Sequence, residues 1–459
     1  MLSGYWHFVP EALVVAGALA VLFGEFLPGR DKGAAYIAAA LAGAAALLVA
    51  VGGTGGPMVF GQVEPDSVAR FARTGVAGLT AVWALWVAGR GMSDERRRDA
   101  VALALFAAAG GMLLCMARDL IVMYIALELS TMPAYILMGY RRRDVSGLEG
   151  ALKYFLLSML TSIVMLYGLS FLYGISGSTA FAELSIEGAG VLGLVAVLLT
   201  LVGLLAKMSA APFHYWAPDA YAGAAPASVA FVSTVPKIAG ITVIARLLSA
   251  IAPDMPTLVT LVAVASVASM LLGNLAALPQ SDLRRLMAYS GVAHTGYLLM
   301  ALAPGTDTGY AAAVFYAVAY ALPSMAVMLV AAEEGTEITD LAQLAARRPW
   351  LAWSVVIWLL SLIGIPPLAG FFGKLYLFGA AVDSSLWLLV VLGILTSVVS
   401  AGYYFRVVRE MFFGEPVGVS GEGIASPEAT VALVALVAGT VVIGLGASPL
   451  LRGLGALLG

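Results

Sequence analysis

Leu204-Leu-Ala-Lys207-Met-Ser-Ala-Ala-Pro212-Phe-His214-Tyr-Trp216-Ala-Pro-Asp219 decides the fold. It follows an apolar run that opens near residue 189, so a charged amine stands where a helix should be crossing hydrocarbon. Pro212 has no backbone N–H and breaks or kinks that helix just past the lysine. Free carbonyls at a break are tolerated at membrane depth only where protein encloses them around a cavity. Gly364-Ile-Pro-Pro-Leu-Ala-Gly370-Phe-Phe-Gly373-Lys374 repeats the arrangement: a Pro-rich interruption beside a lysine inside a long apolar segment.

Working outward, the chain supports a membrane fold and little else. Of its 459 residues, 61% are hydrophobic and 11% charged, far from the quarter charged that soluble domains carry. Fourteen segments are long and apolar enough to cross a bilayer: 8–27, 34–53, 69–89, 99–116, 119–139, 153–174, 189–212, 227–249, 256–278, 285–303, 309–332, 350–380, 386–411 and 429–450. The expected fold class is an all-α polytopic membrane protein. The interrupted spans, seven and twelve, are five apart, and an odd shift turns one copy upside down. Spans 4–8 and 9–13 are therefore expected to be inverted five-helix repeats, although the two halves share no clear residue-level identity. The expected organisation is a single membrane domain: 1–98 as three N-terminal spans, 99–250 and 251–411 as the repeats, and 412–459 as a C-terminal span. No cleavable signal segment is evident, because the first span carries Glu11 and Glu25 and lacks a basic leader.

Several functions are excluded by what is scarce. A net charge of −3 leaves no basic excess for nucleic acid. A lone cysteine, Cys115, rules out a disulfide framework, a thiolate-held cluster and an all-cysteine zinc site. Three histidines leave little for haem or metal. Gly370–Lys374 has the wrong spacing and setting for a phosphate loop, and no nucleophile triad is assembled.

The basic residues are partitioned by type. Fifteen of the 24 lie in connections after odd-numbered spans, among them Arg96–Arg98, Arg141–Arg143, Arg347 and Arg348, whereas Arg70, Arg73, Arg118, Arg246 and Arg452 lie at the other end. This asymmetry predicts both termini on the non-cytoplasmic side. The other four are lysines in or at the edge of spans: Lys153, Lys207, Lys237 and Lys374. Arginine stays charged almost everywhere, while a desolvated lysine gives up its proton readily. Fixed charge outside and switchable charge inside is the division a proton carrier needs. Each buried lysine costs several kcal/mol, roughly, which codon bias does not explain.

Glu128, in Tyr124-Ile-Ala-Leu-Glu-Leu-Ser-Thr-Met-Pro-Ala-Tyr135, is the matching buried acid; the bland alternative is a salt bridge holding two helices. Lys237 follows Pro236 as the next polar station. His294, in Ala288-Tyr-Ser-Gly-Val-Ala-His-Thr-Gly-Tyr297, can relay a proton as a neutral imidazole or simply hydrogen-bond a neighbouring helix. Lys153 opens span six, where snorkelling to the interface is an equally simple reading. Glu11 and Glu25 read most simply as interfacial.

These stretches together resemble the antiporter-like membrane subunits of respiratory complex I and the related multi-subunit cation/proton antiporters. The resemblance rests on Leu127-Glu128-Leu-Ser, the Lys207–Tyr221 block, Ala225-Pro-Ala-Ser-Val before Lys237, Gln280-Ser-Asp-Leu-Arg-Arg-Leu-Met-Ala-Tyr-Ser290, Ala293-His294-Thr-Gly-Tyr and Gly364–Lys374. It covers spans three to thirteen. Within that family the chain looks most like subunit N of bacterial NADH:quinone oxidoreductase, the counterpart of mitochondrial subunit two, through Leu152-Lys153-Tyr-Phe-Leu-Leu-Ser and Tyr403-Tyr-Phe-Arg-Val-Val-Arg. The M-type subunit is expected to carry Glu where Lys374 stands, and the lateral C-terminal helix of the L-type has no counterpart here. Ser290-Gly-Val-Ala-His departs from the usual Ser-Ser-Ile-Ala-His.

The resemblance implies a proton-translocating subunit of a bacterial inner-membrane translocase, coupled to quinone reduction elsewhere. It implies no cofactor in this chain, with FMN, iron–sulfur clusters and quinone in partner subunits, and K-, M-, L-, J- and A-type membrane neighbours. Glu128 and Lys207 would be the controlling ion pair, Lys237 the central relay and Lys374 the distal exchanger. Lys153 and His294 would be accessory positions. The rival readings are a D-type subunit of a sodium/proton antiporter, with sodium held at the broken helices, and a structural scaffold with vestigial lysines.

Overall fold

The computed structural model describes residues 2–24, 30–52, 61–90, 97–140, 145–252, 255–415 and 426–455. Glu25, Arg96 and Arg141–Arg143 lie outside them. The described chain is helical, with no strand. Twelve helices are long and apolar enough to cross a membrane.

Spans one to six are Val9–Phe23, Arg30–Val51, Ser67–Arg90, Arg97–Met116, Leu120–Met138 and Val145–Ser176. Span seven is Gly190–Lys207 followed by Trp216–Gly223, and span eight is Pro226–Val232 followed by Val235–Ile251. Spans nine to eleven are Thr257–Ala277, Leu283–Leu302 and Asp307–Glu334. Span twelve is Pro349–Ile363 and Ala369–Asp383, and spans thirteen and fourteen are Trp387–Phe413 and Pro427–Leu445. A short helix, Ala447–Gly455, follows. Span ten, which carries Arg284, Arg285 and His294, and the two halves of span twelve complete the fourteen.

Three boundaries differ most from the sequence expectation. Span six begins at Val145, two turns before Lys153, so that lysine does not open it. Span seven does not end at 212: the chain unwinds after Lys207 and resumes as helix at Trp216. Span eight is also interrupted, at Ser233 and Thr234, one turn before Lys237. Pro236, in the first turn of the second piece, brings no N–H that would need a partner there.

The repeats are visible in local geometry that amino-acid identity hides. Asp119 caps span five by accepting from the backbone N–H of Ile121 and Val122, and Asp282 caps span ten by accepting from Arg284 and Arg285. Leu120 N donates to Thr179 O and Phe181 N to Arg118 O; Leu283 N donates to Thr336 O and Ile338 N to Ser281 O. Gly110 and Gly273 precede those aspartates by the same interval. Each lets two spans meet backbone to backbone: a Cβ on Gly110 would strike Leu129 and Ser130, and one on Gly273 would strike Tyr289 and Ala293. At the breaks, Ser209 (φ +57°) stands three residues before Pro212, as Gly364 (φ +95°) stands three before Pro367. Five crossings separate the copies, so equivalent features face opposite membrane surfaces.

Span eleven runs through the centre, and its whole apolar window is buried. Spans eight, ten, twelve and fourteen pack around it. Glu11, in the first turn of span one, is buried at that end of the span, because Arg73 of span three pairs with both its oxygens at 2.7–2.8 Å. Two opposite charges at one depth can be buried together where one alone could not.

Candidate functional site

The site starts on span five. Its third turn places Glu128 toward span seven, where Lys207 is the last helical residue before the break. Lys207 Nζ lies 3.2 Å from Glu128 Oε1, and both side chains are at least nine-tenths buried. Ser162 Oγ of span six donates to the same carboxylate oxygen at 2.6 Å. Lys207 Nζ also donates to the Tyr135 hydroxyl and, at 3.3 Å, to Thr131 Oγ1. At 3.2 Å and an effective dielectric of about 20, the attraction is roughly 5 kcal/mol. Desolvating each ion costs several kcal/mol. Attraction and penalty are thus of similar size, and a small change in separation tips the balance.

Beyond the pair lies a cavity of about 20 Å3 that reaches from Lys207 to Lys237, lined by Ser130, Thr131, Tyr154 and Ser209 among others. That is room for about one water. Ser130 Oγ and Ser209 Oγ on its wall have no protein partner, and buried hydroxyls of this kind are what a bridging water satisfies.

Lys237 is buried at the start of the second half of span eight. Its Nζ donates to the Gly291 carbonyl at 2.9 Å and lies 5.4 Å from the centre of the Tyr320 ring. It pairs with no carboxylate among the described residues. Gly291 leaves room at this point: a Cβ would sit 3.0 Å from the Tyr320 hydroxyl and 3.1 Å from Lys237 Nζ, and the ends of those two side chains would have to yield by a few tenths of an ångström.

His294 follows, one turn along span ten. Its Nδ1 meets the Tyr316 hydroxyl at 2.6 Å and its Nε2 the Tyr404 hydroxyl at 3.3 Å, and Tyr404 continues to Ser290 Oγ at 2.5 Å. The Tyr320 ring lies 4.8 Å from the imidazole centre and the Tyr297 ring 5.6 Å. Lys374 also stands against Tyr297, its Nζ 4.8 Å from the ring centre. Its Nζ donates to Ile363 O at 2.9 Å, a carbonyl freed by the break, and to Ser397 Oγ at 2.7 Å. A cavity of about 330 Å3 bordered by Lys374, Phe371, Phe378 and Val398 opens between spans twelve and thirteen.

Glu128, Lys207, Lys237, His294 and Lys374 therefore form one buried series joined by hydroxyls, phenol rings and freed carbonyls. Lys153 stands apart from it. Its side chain is 45% exposed, and its Nζ lies 2.9 Å from both Glu149 and Asp219, with Arg285 on the other Asp219 oxygen. Sequence reasoning missed Tyr135, Tyr297, Tyr316, Tyr320 and Tyr404. Their only signal was the density of tyrosine in otherwise apolar spans. No group of three or more His, Cys, Asp or Glu side chains suited to a metal exists among the described residues.

Residues 117–400 match the family described as NADH:quinone oxidoreductase/Mrp antiporter, TM. The chain is 39% identical over 422 residues to NADH-quinone oxidoreductase subunit N 1 of Acidiphilium cryptum, covering 88% of each. It is 35% identical to NAD(P)H-quinone oxidoreductase subunit 2 of a Picosynechococcus species, covering 89% of this chain and 81% of the relative. A chain in the structure of respiratory complex I from Thermus thermophilus with bound aureothin superposes with a TM-score of 0.85 at 33% identity, covering 97% of this chain and 99% of that one.

Proposed function

We infer how this chain works from one premise: it belongs to the subunit N family of NADH-quinone oxidoreductases, within the antiporter-like membrane proteins. It is a proton-translocating membrane subunit of such a complex. Glu128, Lys207, Lys237, His294 and Lys374 carry the proton, and Lys153 couples the relay to the surface through Asp219. The chain divides into 1–98, the repeats 99–250 and 251–411, and 412–459, with the relay running from the first repeat into the second. It works as a translocase subunit in the inner membrane with both termini on the non-cytoplasmic side. Flavin, clusters and quinone are carried by partner subunits, and K-, M-, L-, J- and A-type subunits are its membrane neighbours.

The observation that carries this reading is the Glu128–Lys207 pair opening onto the cavity shared with Lys237. With the pair closed, the carboxylate holds the ammonium. If the separation grows to about 6 Å, roughly half the attraction is lost, and desolvation then favours the neutral amine. The proton passes by water to Lys237. Neighbouring ammonium groups repel, which helps Lys374 to release its own proton toward the lateral cavity. The displacement of Glu128 is driven from a partner subunit, where the redox chemistry takes place.

The test uses the assembled complex in liposomes. Lys207→Ala and Lys374→Ala should each abolish most NADH-driven acidification, read by a pH-sensitive dye, while subunit content stays at the parental level. Normal pumping by both variants would falsify the scheme.

A further inference from the structure

A third pocket, of about 170 Å3, lies outside the relay at the end of the bundle where the first span begins. It is bounded by Trp6, His7, Leu48, Gly52, Arg70 and Arg73, from spans one, two and three. We propose that it binds the phosphate of an anionic phospholipid whose acyl chains lie along the exposed face of span two.

Four observations carry the assignment. First, the lining is basic: it holds two arginines and no acid. Second, one of these arginines has no acid beside it among the described residues. Arg73 is committed to Glu11 and to the His7 carbonyl, whereas Arg70 meets only the Gly52 carbonyl, at 3.4 Å, and no carboxylate among the described residues. Arg118 and Arg246, at the same end, are both paired with acids. An arginine left without an acid at an end that is poor in base calls for an external anion. Its planar fork suits a phosphate, which it can hold by two parallel N–H···O bonds.

Third, Trp6 is 74% exposed at the pocket mouth, the position of an interfacial aromatic anchor. Fourth, Leu47, Leu48 and Val51 run down from the pocket as an exposed apolar strip. That strip fits hydrocarbon chains and gives a free phosphate nothing. An arginine fork for the phosphate, an interfacial aromatic and an apolar strip for the chains are the contacts a phospholipid needs.

The experiment uses the intact complex in detergent with phosphatidylglycerol carrying a diazirine near its glycerol, followed by peptide mapping. Label is expected on peptides containing residues 5–10 and 44–52, competed by excess phosphatidylglycerol. Arg70→Gln should lower that label about five-fold, the effect of one surface-proximal arginine, while Arg70→Lys retains most of it. NADH oxidation should be unchanged in both, since Arg70 lies outside the relay. Equal label in Arg70→Gln overturns the proposal. If that variant does not assemble, competition on the parental complex decides. Equal competition by phosphatidylcholine overturns the requirement for an anionic lipid, and competition by millimolar inorganic phosphate makes a free anion the ligand and overturns the lipid.

Discussion

Three lysines in this chain are held by oxygens of different kinds. Lys207 has a carboxylate, Lys237 one carbonyl, and Lys374 a carbonyl and a hydroxyl. Replacing Lys237 with Met should therefore separate function from stability. The variant removes a buried cation that has no counter-ion among the described residues, so thermal stability should hold or rise by about 1–2 kcal/mol, while proton transport is lost. A scaffold with vestigial lysines predicts the same stability with normal transport. Tyr316→Phe removes the hydroxyl on His294 Nδ1 and leaves a buried imidazole nitrogen unpartnered, a cost of about 1–3 kcal/mol. Proton transfer per quinone reduced should fall, as measured by simultaneous dye quenching and NADH absorbance. The charged stations were legible in the sequence because charge in an apolar run is expensive. The tyrosines were not, because a phenol is tolerated anywhere in a span. Their meaning comes only from what a neighbouring span brings to them.

At the scale of elements, the broken helices were legible from proline, and their extent was not. Pro212 told that the helix breaks, but not that it already unwinds after Lys207, and the resumption at Trp216 depends on its ring packing on Tyr154 and its indole N–H reaching the Ala206 carbonyl. The repeat was legible only as an odd offset. Its physical record is in matched caps, crossings and turns, which constrain backbone rather than side-chain identity. The lysines break the symmetry: Lys207 precedes its interruption, and Lys374 follows its own. The glycine crossings give a direct prediction. Gly110→Val and Gly273→Val each push a branched side chain into the backbone of the adjoining span, an overpacking that typically costs about 1–3 kcal/mol or more. Both should reduce the amount of assembled complex on native gels, and Gly174→Val, where a Cβ would meet nothing, should not.

Across the whole molecule, two ionic clamps fasten the first three spans to the repeats. At one end Asp66 accepts from Arg246 at 2.6 Å and pairs with Arg118 at 3.3 Å. At the other, Glu333 lies between Arg90 and Arg348 at 2.7 and 2.9 Å, with Trp86 Nε1 as a further donor. Arg348 reaches Glu334 as well, at 2.6 Å. Arg348→Ala would leave two nearly inaccessible carboxylates under-compensated, at a cost of about 3 kcal/mol. The purified complex should lose this subunit at a lower temperature, with pumping per turnover unchanged below it. Arginine density in the connections was visible in the sequence; which acids it would meet across more than two hundred residues was not.

The enclosure of span eleven bears on how the protein is made. Its covers come from both directions along the chain, and those from spans twelve and fourteen leave the ribosome after it. While they are still being synthesised, Tyr316 and Tyr320 can already meet His294 and Lys237 from spans ten and eight, but the faces of span eleven that spans twelve and fourteen will cover stay bare. A nascent chain halted before its final crossing therefore holds every buried charged group, yet still lacks one wall of the helix at its centre.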